Sequence, residues 1–218
     1  MGMAKTNRRC VIVGGADIGC YERIKGYLRD DDYLIYCDCG LRHMDGLCKS
    51  PSLVIGDFDS HENPHLDIET IVLPVAKDDT DTVYAAREGR RRGFTDFLLL
   101  GVFGSRMDHT LVNTYLMFDL EDHGCNVTAV DDYSEFEVIS AGNDGTPGKA
   151  FVEDRYPFFS LINMTGVARG VTIKNARFGL EDGEITSNYQ YATSNEVLPG
   201  KTSEITIREG KLLLIKDI

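Results

Sequence analysis

The sequence predicts an α/β amino-terminal domain with a mainly parallel sheet, followed by an all-β sandwich or barrel domain. Three observations predict it. Up to Val130, short apolar runs alternate with stretches of helical period. Those runs are apolar almost throughout, as strands covered on both faces of a parallel sheet must be. From Tyr133 onward, short runs are separated by Gly, Asp, Asn and Pro, and no stretch has a helical period.

Cys10–Val13 (CVIV) reads as a strand ending in Gly14-Gly15, and Tyr21–Leu28 as a helix. Leu34–Cys37, Leu53–Ile55 and Thr70–Leu73 read as strands. Thr82–Arg92 reads as a helix closed by Gly93, where a left-handed residue commonly ends one. Phe97–Gly101 is a buried strand, His109–His123 a helix closed by Gly124, and Val127–Val130 a further strand. The later strands are Phe136–Ile139, Ala150–Val152, Phe158–Ile162, Val171–Ile173, Ile205–Ile207 and Leu212–Ile215. The expected domains are residues 1–132 and 133–218, closely packed because no low-complexity linker separates them.

Composition narrows the function. Hydrophobic residues make up 42% of the 218 positions, enough for a packed core. No apolar run approaches the ~20 residues of a membrane helix, so no membrane partner is expected. The opening MGMAKTNRRCVIVGG does not read as a signal peptide, and its Met-Gly reads as a start-site feature rather than a myristoylation signal. A formal net charge of −12 disfavours a nucleic-acid partner. It leaves room for a nucleotide, because carboxylates can hold Mg²⁺ and the ion can hold phosphates. The six cysteines include no CxxC pair, so zinc is disfavoured and reduced thiols of a cytoplasmic protein are expected.

Several segments could carry chemistry. Ile55–Ser60 runs from an apolar strand through Gly56 into Asp57 and Asp59. Strand carboxyl ends form the ligand crevice of a parallel sheet, and two converging carboxylates call for a hard cation such as Mg²⁺. The bland alternative is an ordinary acidic strand-to-turn connection. Lys77-Asp78-Asp79-Thr80-Asp81 precedes a helix. Thr80 or Asp81 could simply cap it, or Asp81 could be a third metal-directed carboxylate and Lys77 a phosphate contact. Gly101–Thr110 joins a buried strand to a helix beginning near Asp108. Gly101, Gly104 and free helix N–H groups suit phosphate, and Arg106 adds a planar fork. Asp108 could cap that helix, and His109 could be structural. No GxxxxGK[ST] or GxGxxG pattern occurs. Asp38 also follows a strand, and a shared crevice explains these four strand-end signals together. Thr193-Ser194-Asn195-Glu196 by itself is a polar turn.

Together these segments resemble the thiamine pyrophosphokinase family. The matching stretches are CDCG (Cys37–Gly40), VIGDFDS (Val54–Ser60), KDDTD (Lys77–Asp81), GVFGSRMDHTLVN (Gly101–Asn113), VDDYSE (Val130–Glu135), TSNE (Thr193–Glu196) and the closing ITIREGKLLLI (Ile205–Ile215). The resemblance implies an ATP-binding α/β domain and a thiamine-binding β domain, in a homodimer that holds thiamine where the subunits meet. It implies that the thiamine hydroxyl attacks the β-phosphorus of ATP and AMP leaves, in a Mg²⁺-dependent reaction. Asp57, Asp59 and Asp81 correspond to the metal-binding aspartates, and with Lys77 they form the expected catalytic set. One aspartate is expected to take the hydroxyl proton. Asp38, Gly101, Gly104, Arg106, Asp108 and His109 fall in motifs lining the ATP site. Thr193, Ser194 and Asn195 fall in the segment approaching thiamine. Where the family usually has Asp-Gly-Gly-Ala-Asn, this chain has Asp38-Cys39-Gly40-Leu41-Arg42, with bulkier Cys39 and Leu41. Eukaryotic members carry a tryptophan near the thiamine ring, and this chain has none. Three rivals are a phosphohydrolase with a nucleophilic Asp57, a non-catalytic nucleotide sensor of the same fold, and a kinase for a related alcohol such as a pterin. His61 and Gly56 fit the phosphohydrolase pattern poorly.

Overall fold

The computed structural model describes residues 8–58, 67–76, 78–104 and 106–218. The chain divides into two compact units, Met1–Asp132 and Tyr133–Ile218.

The first unit is built on parallel strands β1 (Cys10–Val13), β2 (Tyr33–Cys37), β3 (Leu53–Gly56), β4 (Thr70–Val72), β5 (Asp96–Leu100) and β6 (Asn126–Val130). Their spatial order is β4-β3-β2-β1-β5-β6, and each adjacent pair runs parallel. Every residue of β1 and β3 is buried, which is why these strands are apolar without alternation. The helices are α1 (Tyr21–Lys25), α2 (Met44–Leu47), α3 (Asp81–Arg91) and α4 (Met107–Asp122). Helix α3 buries Thr82, Ala85, Ala86 and Gly89, small residues that allow close approach to the strands.

Helices α3 and α4 end alike. After α3, Gly93 N–H donates to Arg90 C=O and Phe94 N–H to Gly89 C=O, with Gly93 at φ 89°. After α4, Gly124 N–H donates to Glu121 C=O and Cys125 N–H to Leu120 C=O, with Gly124 at φ 72°. Both are Schellman ends, so the glycine signals in the sequence have a physical cause.

Some elements differ from the sequence expectation. The expected helix Tyr21–Leu28 stops at Lys25, and Gly26 forms its C-cap. A 3₁₀ turn over Asp38–His43 follows β2 and leads into α2, and neither has a clear period in the sequence.

The second unit is antiparallel. Strand β13 (Lys211–Asp217) pairs with β7 (Ser134–Ser140) and β9 (Phe159–Ile162). A four-stranded sheet has the order β11-β10-β12-β8, formed by β8 (Gly148–Glu153), β10 (Val167–Lys174), β11 (Leu180–Thr186) and β12 (Thr202–Ile207). Ile139, Leu161, Leu212 and Leu214 from the first set share one core with Val152, Val171, Ile185, Ile205 and Ile207 from the second. Of the sandwich and barrel alternatives, this is the sandwich. Strand β11 escaped the sequence reading because its residues do not alternate. Only Ile185 in LEDGEIT is fully buried, so the segment looks like a loop.

Candidate active site

The strand order reverses between β1 and β5, and there the two strand ends are tied together. Gly14 N–H donates to Leu100 C=O and Ala16 N–H to Gly101 C=O, both at 2.8 Å. Gly101 has φ 59°, and a Cβ on it would lie 2.8 Å from the Gly14 oxygen. No other residue fits there without strain. A cavity of about 440 Å³ opens at these ends. Its wall comes from Gly14–Asp17 after β1, Asp38, Cys39 and Arg42 after β2, Asp57 after β3, Thr80–Thr82 at α3, and Gly101, Val102 and Gly104 after β5. Arg106, His109 and Asn113 complete it. This is the crevice that a switch point in an open parallel sheet creates.

Three carboxylates converge in this wall. Asp38, Asp57 and Asp81 each offer an oxygen, and these oxygens lie within 4.8 Å of one another. Asp38 begins the 3₁₀ turn, Asp57 directly follows Gly56, and Asp81 is the first residue of α3. A Cβ on Gly56 would lie 2.6 Å from the Asp38 Cβ, so glycine is what lets β3 end against Asp38. Asp38 is 2% exposed. Hard, anionic oxygens at this separation form the donor set that Mg²⁺ takes and soft metals do not. The charges also act on a neighbour: burial first, then Asp81 and Asp38, push the Cys37 thiol well above its ordinary range.

Buried polar bonds hold the frame. Thr82 Oγ1 donates to Asn113 Oδ1 at 2.6 Å, and Asn113 Nδ2 donates to Val102 C=O at 2.7 Å. These join the start of α3 to α4 and to the loop after β5. His43 Nε2 lies 2.8 Å from Ala16 C=O, and its Nδ1 lies 2.7 Å from the Tyr21 hydroxyl. The ring donates from Nε2 and accepts from Tyr21 at Nδ1, which fixes its tautomer. It thereby fastens the β1 loop to the 3₁₀ turn.

The structure brings Asp57, Asp81, Asp38, Gly101, Gly104, Arg106 and His109 into one cavity wall. Asp59 and Lys77 lie outside the described residues. Asp38, assigned from sequence to the nucleotide site, lines this cavity and also belongs to the carboxylate cluster. The capping role open to Asp108 is not the one the structure gives it. Helix α4 begins at Met107 with Arg106 at the N-cap, so Asp108 is not the cap. Its oxygens accept from Arg106 Nε at 3.0 Å and Nη2 at 2.6 Å. That guanidinium holds the Asp108 carboxyl well below its ordinary range. Asp108 is absent from the cavity wall, where its partner Arg106 stands.

In the second unit, Thr193 and Ser194 are exposed, and Ser194 adopts φ 53°. Asn195 is 2% exposed. Its amide donates to Phe178 C=O at 2.8 Å and accepts from the N–H groups of Phe178 and Glu196 at 3.0 Å. The amide is a clasp on the Phe178 backbone. The sequence reading also missed the Gly14–Asp17 loop, Thr80, Thr82 and Arg42 as wall residues. Gly14-Gly15 directly after an apolar strand carried that signal. Thr82 and Arg42 carried none, since their roles depend on neighbours distant in sequence.

The family model described as "Thiamin pyrophosphokinase, catalytic domain" matches residues 24–129, and that described as "Thiamin pyrophosphokinase, vitamin B1 binding domain" matches 151–212. The chain belongs to the thiamine pyrophosphokinase family. It therefore carries the catalytic and vitamin B1 binding parts of a thiamine pyrophosphokinase, an enzyme, and nothing favours the phosphohydrolase or sensor readings. Solved structures share the fold. Thiamine pyrophosphokinase from Bacillus subtilis is 19% identical with a TM-score of 0.84, covering 96% of this chain and 99% of that one. The enzyme from Geobacillus thermodenitrificans is 22% identical with a TM-score of 0.80, covering 96% and 97%. That from Candida albicans is 11% identical with a TM-score of 0.78, covering 97% and 89%. No curated protein sequence matches this chain.

Proposed function

We propose that this thiamine pyrophosphokinase family member binds ATP in the cavity at the strand ends and transfers its terminal diphosphate to the thiamine hydroxyl in a Mg²⁺-dependent reaction. The observation that carries the reading is the meeting of Asp38, Asp57 and Asp81 beside the glycine loops after β1 and β5. Mg²⁺ held by these oxygens would supply charge neutralisation for the phosphates. The chain's own groups do the rest. Backbone of Gly14–Asp17 and Gly101–Gly104 lets phosphates approach closely, and Arg106 faces their oxygens across the cavity. The Thr82–Asn113–Val102 bonds keep Asp81 and the β5 loop in register, so that positioning is built before substrate arrives. Asp59 and Lys77 remain part of the proposed catalytic set through their place in the family's motifs.

Thiamine is assigned to the second unit, whose residues 151–212 match the vitamin B1 binding domain, with Thr193 and Ser194 on its exposed turn. A homodimer is proposed with it. Helix α4 exposes Met107, Leu111 and Tyr115, spaced i, i+4, i+8 on one apolar stripe that a second subunit could cover. A cytoplasmic location is proposed on the cysteine usage, six thiols with no CxxC pair, which suits a reducing compartment.

Incubation with ATP, MgCl₂ and thiamine, followed by mass detection, tests the reaction. Thiamine diphosphate and AMP are expected in equal amounts. Inorganic phosphate without thiamine diphosphate would return the case to a phosphohydrolase. Near-normal product from Asp57→Asn or Asp81→Asn would refute the carboxylate assignment.

A further inference from the structure

Arg42 is a cation in the cavity wall that the reaction as described does not use. It belongs to the 3₁₀ turn that starts at Asp38. Its Nη2 donates to Asp17 Oδ1 at 2.6 Å, and Asp17 also lines the cavity, on the loop after β1. The Asp17 side chain is 89% exposed and that of Arg42 41%, so the pair sits at the solvent rim.

A structural staple is the plain reading, but the staple already exists. His43, the next residue, is 2% exposed and bonds both Ala16 C=O and the Tyr21 hydroxyl. An exposed ion pair at the rim adds little to that buried anchor. The cavity's other arginine is more committed: Arg106 is gripped by both oxygens of Asp108. Arg42 meets one oxygen of a carboxylate that stays hydrated when released, and its Nε lies 3.3 Å from His43 Nε2, a nitrogen whose proton already goes to Ala16 C=O. A phosphate offers its planar fork two oxygens and more charge. Asp17 lies where it would repel that phosphate unless Arg42 stands between them.

We propose that Arg42 is an exchangeable phosphate clamp: it leaves Asp17 for the phosphates of the incoming nucleotide, and Asp17 is a built-in competitor that tunes nucleotide affinity. This rests on the reading of the cavity as a nucleotide site. The turn's backbone stays fixed by His43 while the Arg42 side chain changes partner.

Calorimetric titration of the full chain with ATP, and separately with adenosine, both with Mg²⁺ present, tests the exchange. Arg42→Gln is expected to weaken ATP on the order of tenfold or more while leaving adenosine unchanged. Arg42→Lys is expected to recover part of the loss. Asp17→Asn is expected to tighten ATP about threefold, and that gain should vanish when Arg42→Gln is added. Wild-type ATP affinity in Arg42→Gln, an equal loss of ATP and adenosine, or weaker ATP binding by Asp17→Asn would each overturn the clamp alone. If the unmodified chain binds neither ligand, the nucleotide reading falls and the clamp with it.

Discussion

Replacing Asp38 by Asn separates an electrostatic site from an ordinary buried residue, because the two give stability changes of opposite sign. Oxygens of Asp38, Asp57 and Asp81 lie within 4.8 Å of one another. Two unit charges at that distance repel by about 3.5 kcal/mol at an effective dielectric of 20. Asp38 takes part in two such pairs, so at that dielectric its charge costs on the order of 7 kcal/mol in metal-free protein. Solvent at half-buried Asp57 and Asp81 absorbs much of this, leaving an expected gain of about 1–2 kcal/mol for Asp38→Asn. For a chain of this size that raises the metal-free Tm by roughly 2–8 °C. With magnesium the order reverses. At a concentration about 100 times the parent Kd, the ion stabilises the parent by about 2.7 kcal/mol. If the variant binds about 100-fold more weakly, it gains only about 0.4 kcal/mol, so its Tm shift is smaller by roughly 5–9 °C. Scanning calorimetry in EDTA and across a MgCl₂ titration measures both quantities. A variant less stable than the parent in EDTA, with an undiminished magnesium shift, would show that Asp38 serves packing and not a cation.

Three further outcomes are expected. Gly101→Ala forces a side chain into φ 59° and against the Gly14 oxygen, so it should cost roughly 2 kcal/mol or more in urea unfolding; a change under about 0.5 kcal/mol would contradict the close approach of the β1 and β5 ends. Burial lowers the His43 pKa below its ordinary 6.5, so the folded protein resists a proton that the unfolded chain accepts. That contribution is complete above about pH 6.5 and is lost as pH falls through 6.5 toward the lowered folded value; His43→Gln should flatten this part of the stability–pH curve, and an unchanged slope would exclude His43 as its source. Asn195→Asp replaces the donor facing Phe178 C=O with an oxygen, and a buried carbonyl left facing a carboxylate should cost roughly 2–3 kcal/mol in thermal melts of the whole chain; a neutral result would remove the clasp.

The fold class was legible because its signals are local. Runs such as CVIV and FLLL are apolar at every position, which only a strand covered on both faces requires. Gly93 and Gly124 follow helices at the position where the chain must turn left-handed. The second unit's alternation was legible in TSEITI and GKAFVE, whose inward residues are buried one in two. Strand β11 was not, because LEDGEIT buries only Ile185 fully and so carries no alternation to mark it. The short 3₁₀ turn at Asp38 was not either, since six residues carry too little period to read.

The candidate site divides the same way. Each strand-end aspartate could be picked out singly, since a carboxylate after an apolar strand is visible in the chain itself. Which of them share an ion could not, because Asp38, Asp57 and Asp81 meet only through the lateral order of β2, β3 and α3. Sequence by itself determined the layered α/β and all-β classes and the family, through periodicity and short motifs that depend on neighbours in the chain. Tertiary structure alone decided that Asp38 joins the carboxylates, that Asp108 turns to Arg106, that Asn195 clasps Phe178, and that Arg42 meets Asp17. Hydrogen bonds and charge pairs act over a few ångströms of space, and sequence separation does not encode that distance.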